Sequence, residues 1–305
     1  MTNSFKFLFT FLLISAFAHS QTQRDTLFSE IIYNFPENTT EYHRLKADLK
    51  KLESIDNKPN PELLYNKLNY FYQNNDLKYF KETLTLLTRK YGFNLSYASG
   101  EENYYEAIIH GDLAKWFRKM YVKNHSKWLS KNLDKQIDIY KLNRLSYDDQ
   151  LVHIAILKVR SIEGLTEEQL QKLRKMDGNY FKRNLNVLLN VSKKTNTLPT
   201  GNSFALIQNG YYLTEVHAMQ HEDLFENAWQ SLYPFYKTSY LNNDNSSILF
   251  RNIDAHMYQY NGKQVFDLLR IENIPDGAKN NPDDTEIPLV NPEQTKKLRA
   301  ELGWE

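Results

Sequence analysis

Ten glycines in a chain of 305 residues leave little room for folds that turn tightly or cradle phosphate. Glycine alone takes φ > 0 without penalty, so turn-rich β folds and nucleotide loops draw on it heavily; an average protein carries roughly 7%. None of the ten stands in a G-x-G-x-x-G or G-x-x-x-x-G-K spacing, which sets aside dinucleotide and P-loop sites. What the chain offers instead is apolar residues at helical spacing.

Leu45, Leu49 and Leu52 mark a helix that Thr40 can cap and that runs to Ser54. Asn60-Pro61 is a cap followed by proline at the first helical position. Leu77, Phe80, Leu84 and Leu87 form a stripe between Asn75 and Gly92, and Trp116, Phe117, Tyr121 and Trp128 sit in at least two further helices over 104–142. Ser146-x-x-Asp149 and Thr166-x-x-Gln169 read as helix starts, the second a capping box. Asp177 or Gly178 interrupts, and Phe181, Leu185 and Leu188 continue on one face. Helices are expected over 204–219 and 222–241, the latter kinked or divided by Pro234, with a shorter one ending near His256. His256–Tyr260, Asn261-Gly262 and Lys263–Phe266 read as a β-hairpin with a type I′ turn. Asn291-Pro292 opens a last helix that Gly303 ends. The expected fold is mainly α: a helical N-terminal region, 38–145, and an α-helical C-terminal domain, 146–305, with a hairpin at 256–268 and a proline-rich loop at 275–290. No internal repeat with matched positions is present, and the 31 asparagines are spread evenly along the chain.

Charge and cysteine narrow the function classes. Lys and Arg number 38 against 37 Asp and Glu, a net +1, so no global field draws nucleic acid or anionic lipid to the chain. Aromatics are 14% of the residues, but their helical spacing makes them core rather than a stacking platform. With no cysteine, disulfides, thiol nucleophiles and thiolate metal sites are out. At the N-terminus Lys6 precedes the apolar run Phe7–Ala16, and Ala18-His19-Ser20 places small residues where a signal peptidase reads. Residues 1–20 are therefore expected to be a signal peptide cleaved after Ser20, with 21–37 a flexible segment and the mature protein periplasmic or secreted. The apolar run is too short to span a bilayer comfortably, and no second candidate follows it.

Two constellations could carry chemistry. His217 and His221 are spaced i, i+4, which on a helix points both rings the same way toward a shared metal. A metalloprotease needs Glu directly after the first His, and Ala218 stands there. A site would need Asp254 and His256 as further ligands; the plainer account is that His217 packs in an apolar helix and His221 bonds locally. Asp148-Asp149-Gln150 with His153 one turn on could form a base or polar clamp, but Asp149 is equally the capping partner of Ser146. No G-x-S-x-G nucleophile elbow exists, and Asp283-Asp284 lacks the spacing of a Ca²⁺ loop.

From about Asp148 onward the order of these polar motifs resembles an uncharacterised bacterial family, a domain of unknown function found in exported or lipid-anchored proteins. Its pattern runs D-Q-x-x-R, an aspartate with a nearby Asn, a G-x-P turn, Q-H-A-D, D-R, and a G-x-x-Q-x-Y-G-T-Q hairpin. Asp149-Gln150, Asp177 with Asn179, Pro199, Gln220-His221-Glu222-Asp223, Asp254, and Gly262 with Gln264 take those places here. His153 replaces the first arginine, Ala255 the second, and Phe266-Asp267-Leu268-Leu269 the Y-G-T-Q. The resemblance spans about half of the mature chain. It implies a diverged member and marks Gln150, Asp177, Gln220, Asp223 and Gln264 as binding residues; the family brings no activity with it.

The reading favoured by these observations is an exported binding or interaction module of the cell envelope, needing no cofactor, with an envelope protein or a small molecule as partner. Such a module would show an exposed apolar or aromatic groove, expected on the N-terminal helices. The competing reading is a periplasmic hydrolase or metal-dependent enzyme. It would use His221 as base or ligand, Asp149 and Asp254 as orienting carboxylates, and His217 and His256 as further ligands for Zn²⁺ or another divalent metal. It requires His221, Asp149 and Asp254 to converge.

Overall fold

The computed structural model describes residues 23–98, 102–162, 164–208, 211–280 and 285–304; the leader 1–20 and Asp283-Asp284 lie outside them. Among the described residues there are twelve α-helices and no strand. They are α1 (Gln23–Tyr33), α2 (Thr39–Asp56), α3 (Pro61–Gln73), α4 (Leu77–Leu86), α5 (Tyr105–Ile109), α6 (Ala114–Lys131), α7 (Gln136–Arg160), α8 (Glu167–Thr195), α9 (Tyr212–Gln220), α10 (Glu222–Leu241), α11 (Ile248–Asn261) and α12 (Pro292–Glu301). The mainly α expectation holds. None of these helices is long and apolar enough to cross a membrane.

Local chemistry sets most of the boundaries. Asn60 accepts the N–H of Leu63 at 3.0 Å and Asp76 that of Tyr79 at 3.2 Å, each satisfying a donor the first turn leaves open. Thr166 and Gln169 close a complete capping box. At the other ends, asparagine replaces the missing glycine. Asn57, Asn75, Asn196 and Asn243 all have φ between 54° and 59°, the left-handed region that a short polar side chain tolerates best after glycine.

The described residues divide into two compact units, one within 27–217 and the other made of 23–26 with those within 218–304. In the larger one, Leu45, Leu68, Phe71, Phe80, Leu84 and Leu87 are wholly buried in one apolar core. Gly92, at φ +79°, ends the turn after α4 where the Trp128 ring approaches so closely that a Cβ would collide with it. In the smaller unit Phe250 is the hub, meeting Tyr236, Tyr240, Phe266 and Trp304 edge-on at centroid distances of 5.2 to 6.3 Å.

Several expectations are corrected. The hairpin at 256–268 is absent. α11 runs on to Asn261, and Gly262 (φ +66°) ends it by donating its N–H to Tyr258 O at 2.8 Å. Asn-Gly suits a helix end as well as a type I′ turn, and burial of Phe250, Ile253 and Met257 on one helical face decides between them. Gln264 then makes a single parallel bridge with Leu289. Residues 21–37, expected to be flexible, include α1, whose Leu27, Phe28 and Ile31 are buried. Gly178 does not interrupt α8, and Ser146 lies inside α7 rather than starting a helix. α10 continues through Pro234. Among the described residues of 204–219, only those from Tyr212 are helical.

Candidate functional site

Asp149 is wholly buried in α7. Its Oδ1 accepts from Asn184 Nδ2 of α8 at 3.1 Å, and its Oδ2 is held by His217 Nδ1 of α9. With a carboxylate oxygen as acceptor, Nδ1 is the ring nitrogen that donates in this pair. The His217 ring lies against His153 and Phe181, with centroids 4.4 and 5.0 Å away. One turn further, buried Asp177 of α8 faces Arg160 Nη2 at 3.4 Å and His153 Nδ1 at 3.7 Å. These are ion-pair distances, and among the described residues Asp177 Oδ1 has no hydrogen-bond partner. Asp149, His153 and Arg160 from α7 thus line up with Asp177, Phe181 and Asn184 from α8. Gln150, next along α7, is half-buried.

The second cluster surrounds Asp254 of α11, also wholly buried. Its Oδ1 accepts the N–H groups of Val265 and Phe266 at 2.6 and 2.8 Å, and its Oδ2 that of Leu268 at 3.0 Å. Burial pushes this carboxyl up to about 7, against the pull of those three donors. Gln264 continues the same role: its Oε1 accepts from Leu269 N at 2.9 Å and its Nε2 donates to Ile287 O at 3.1 Å. His256 is buried against Tyr260 and Phe225, and the loss of water holds its ring neutral, down to about 4. Asp254 and Gln264 therefore organise the segment after α11.

The two-histidine metal arrangement is not formed as expected. α9 ends at Gln220, and His221 takes extended dihedrals (φ −94°, ψ 107°) as the N-cap of α10. His221 O accepts the N–H groups of Leu224 and Phe225 at 2.8 and 2.9 Å, and Asp223 is exposed in the first turn, where the helix dipole favours it. So His217 and His221 do not share a helical face. Among the described residues no group of three or more His, Asp or Glu side chains is placed to hold a metal ion. His217 and Asp149 do meet. Asn184 and Arg160 were not singled out, although 149, 153 and 160 against 177 and 184 form a polar stripe at helical spacing.

The same two helices are apolar on the outside. Ile137, Tyr140, Tyr147, Leu151 and Ile154 of α7 are exposed, Tyr147 by 62% and Leu151 by 59% of their surfaces, and Met176 of α8 by 60%. Between them lies an open groove of about 720 Å³ whose walls include Leu151, Ala155, Val159, Leu173, Met176, Tyr180 and Arg183. This groove lies on α7 and α8. The hairpin buries Ile139, Leu142, Leu145, Leu185 and Leu188 as a helical hairpin ordinarily does, but it also encloses Asp149, Asp177 and Asn184 and leaves a row of large apolar side chains exposed on α7.

Comparison of the chain with protein-family models, with curated proteins and with solved structures returns no match.

Proposed function

We propose that this chain is an exported binding module, working in the cell envelope, that docks a partner through the outer face of the α7–α8 hairpin. The exposed apolar row of α7 carries the reading. Large apolar side chains are exposed along one helix and across a groove, and exposed apolar surface of this kind marks interaction sites. The interior of the hairpin supports it. Asn184 and His217 each bond to Asp149 and all three are buried, so these polar groups hold α7 against α8 and α9. Export rests on the sequence of residues 1–20.

The catalytic reading has one observation in its favour, an imidazole oriented by a buried carboxylate as a general base would be. It would run through His217 rather than His221. His217 is only 7% exposed, and among the described residues Asp149 is its one hydrogen-bond partner. Docking accounts for more of the hairpin.

The test places a photoreactive phenylalanine analogue at Leu151, at Ile154 and, as a control, at exposed Lys50 of α2 in cells that make the protein. Irradiation is expected to give a discrete cross-linked product from 151 and 154 and none from 50. Absence of product at both outer-face positions overturns the proposal.

A further inference from the structure

The outer face of α7 is periodic as well as apolar. Ile137, Tyr140, Arg144, Tyr147, Leu151 and Ile154 follow alternating steps of three and four residues, and Lys158 continues them. That repeat keeps a seam on one side of a helix and packs knobs into the holes of another helix. α7 has 25 residues, about 37 Å at 1.5 Å per residue, so the occupant is a helix of comparable length with matching steps. α7 itself meets that description.

We infer that the outer face of α7 docks the same face of a second copy, antiparallel, across a two-fold axis between residues 145 and 146. The inference rests on the docking role proposed above and supplies its partner. Charge selects the direction. With the helices antiparallel, Ile137 meets Ile154 of the other copy, Tyr140 meets Leu151, and Arg144 lies over the Tyr147 ring. Lys141, exposed on the flank, then stands opposite Asp148 of the other copy. With the helices parallel, Arg144 would face Arg144 in the middle of the seam, and Lys141 and Asp148 would face only amides. Within one chain Arg144 already holds Asp148 at 2.6 Å. Asp148 in the pair is thus flanked by a cation from each copy.

Sedimentation equilibrium of the full chain at concentrations on the order of 100 μM is expected to show a dimer. Leu151→Glu with Ile154→Glu should weaken association about 100-fold or more by burying unpaired charge. Because both sites are exposed in the monomer, helix content by circular dichroism should stay unchanged, which separates dissociation from unfolding. Lys141→Glu and Asp148→Lys should each weaken the dimer, and the two together should restore it. The chain has no cysteine of its own, so direction can be read directly. Tyr140→Cys and Leu151→Cys chains mixed and oxidised should form a covalent heterodimer, while neither alone should cross-link. Cross-linking of each alone, without the mixed product, overturns the antiparallel register. A wild-type chain that stays monomeric overturns the second copy as occupant. In that case a photocross-link from position 151 to another molecule preserves the docking role, and its absence removes that role as well.

Discussion

Asp149 and Asp254 are both fully buried helical aspartates, and the two regions satisfy them in opposite ways. Around Asp254 the donors are backbone N–H groups of the segment that follows its own helix, eleven to fourteen residues away. Around Asp149 they are the side chains of Asn184 and His217, 35 and 68 residues away. Backbone donors are present whatever residues occupy the loop, so the Asp254 region needs one carboxylate and the right turn. The Asp149 region needs a particular residue at every corner, and those corners belong to three helices. A carboxylate tied to backbone is an organiser of its own chain; one tied to side chains sets how separate helices face each other. That is why the Asp149 seam, and not the Asp254 turn, governs which surface of the hairpin is exposed.

The contrast can be broken by substitution. Asp254→Ala strands three buried N–H groups that cannot turn away, and should cost about 4 kcal/mol or more. Urea unfolding of the variant, followed by tryptophan fluorescence, checks this. If the cost is below that of Asp149→Ala, the distinction between backbone and side-chain satisfaction is wrong.

The pH dependence sharpens it further. Asp254, pushed up to about 7, keeps a proton in the fold that the unfolded chain has lost above pH 4. Its contribution is therefore full at low pH and disappears as pH rises toward 7. His256, held down to about 4, stays neutral in the fold while the unfolded ring takes a proton below about 6.5. Its contribution is full above that value and is lost as pH falls toward 4. The two slopes oppose each other, so wild-type stability should be nearly level between pH 4.5 and 6.5. His256→Phe should uncover the aspartate slope, a loss of about 3 kcal/mol from pH 4.5 to 7. A His256→Phe chain with a flat profile would show that burial does not control this carboxyl.

Asp149→Ala should cost about 3 kcal/mol, because Asn184 and His217 lose their acceptor but can partly reorient. Its distinguishing readout is at the hairpin: amide exchange should quicken in both α7 and α8, whereas in Asp254→Ala the change should centre on 262–269. Gly262→Ala has the smallest expected effect, about 1 kcal/mol, from forcing a Cβ into the left-handed region at the end of α11. A melting temperature unchanged within error would mean that the helix end relaxes to another conformation.

Much of the helical layout was legible because it depends on neighbours in sequence. The caps at Asn60, Thr166 and Asn291, and the left-handed stop at Gly92, are set by groups within one turn. The asparagines looked like diffuse composition, yet four of them are the left-handed residues a glycine-poor chain uses to leave its helices. Asn261-Gly262 was misread because the same dipeptide serves a hairpin and a helix end. Of the candidate site, Asp149, Asp177, His153 and His217 could each be picked out, but in the wrong partnerships. His217 was paired with His221 by spacing and is paired with Asp149 by the fold.

By itself the sequence determined the class of fold, those helix ends that are set by a local cap, and the absence of thiol and nucleotide-loop chemistry, since these follow from composition and contacts within a few residues. Only the tertiary structure decided which side of α7 is inside. Apolar residues surround that helix, so periodicity could not choose a face; its polar stripe chose, by finding Asp177 and Asn184 on α8 and His217 on α9. Buried charge is costly unless paired, so those distant partners turned the polar stripe inward and left the apolar seam outside.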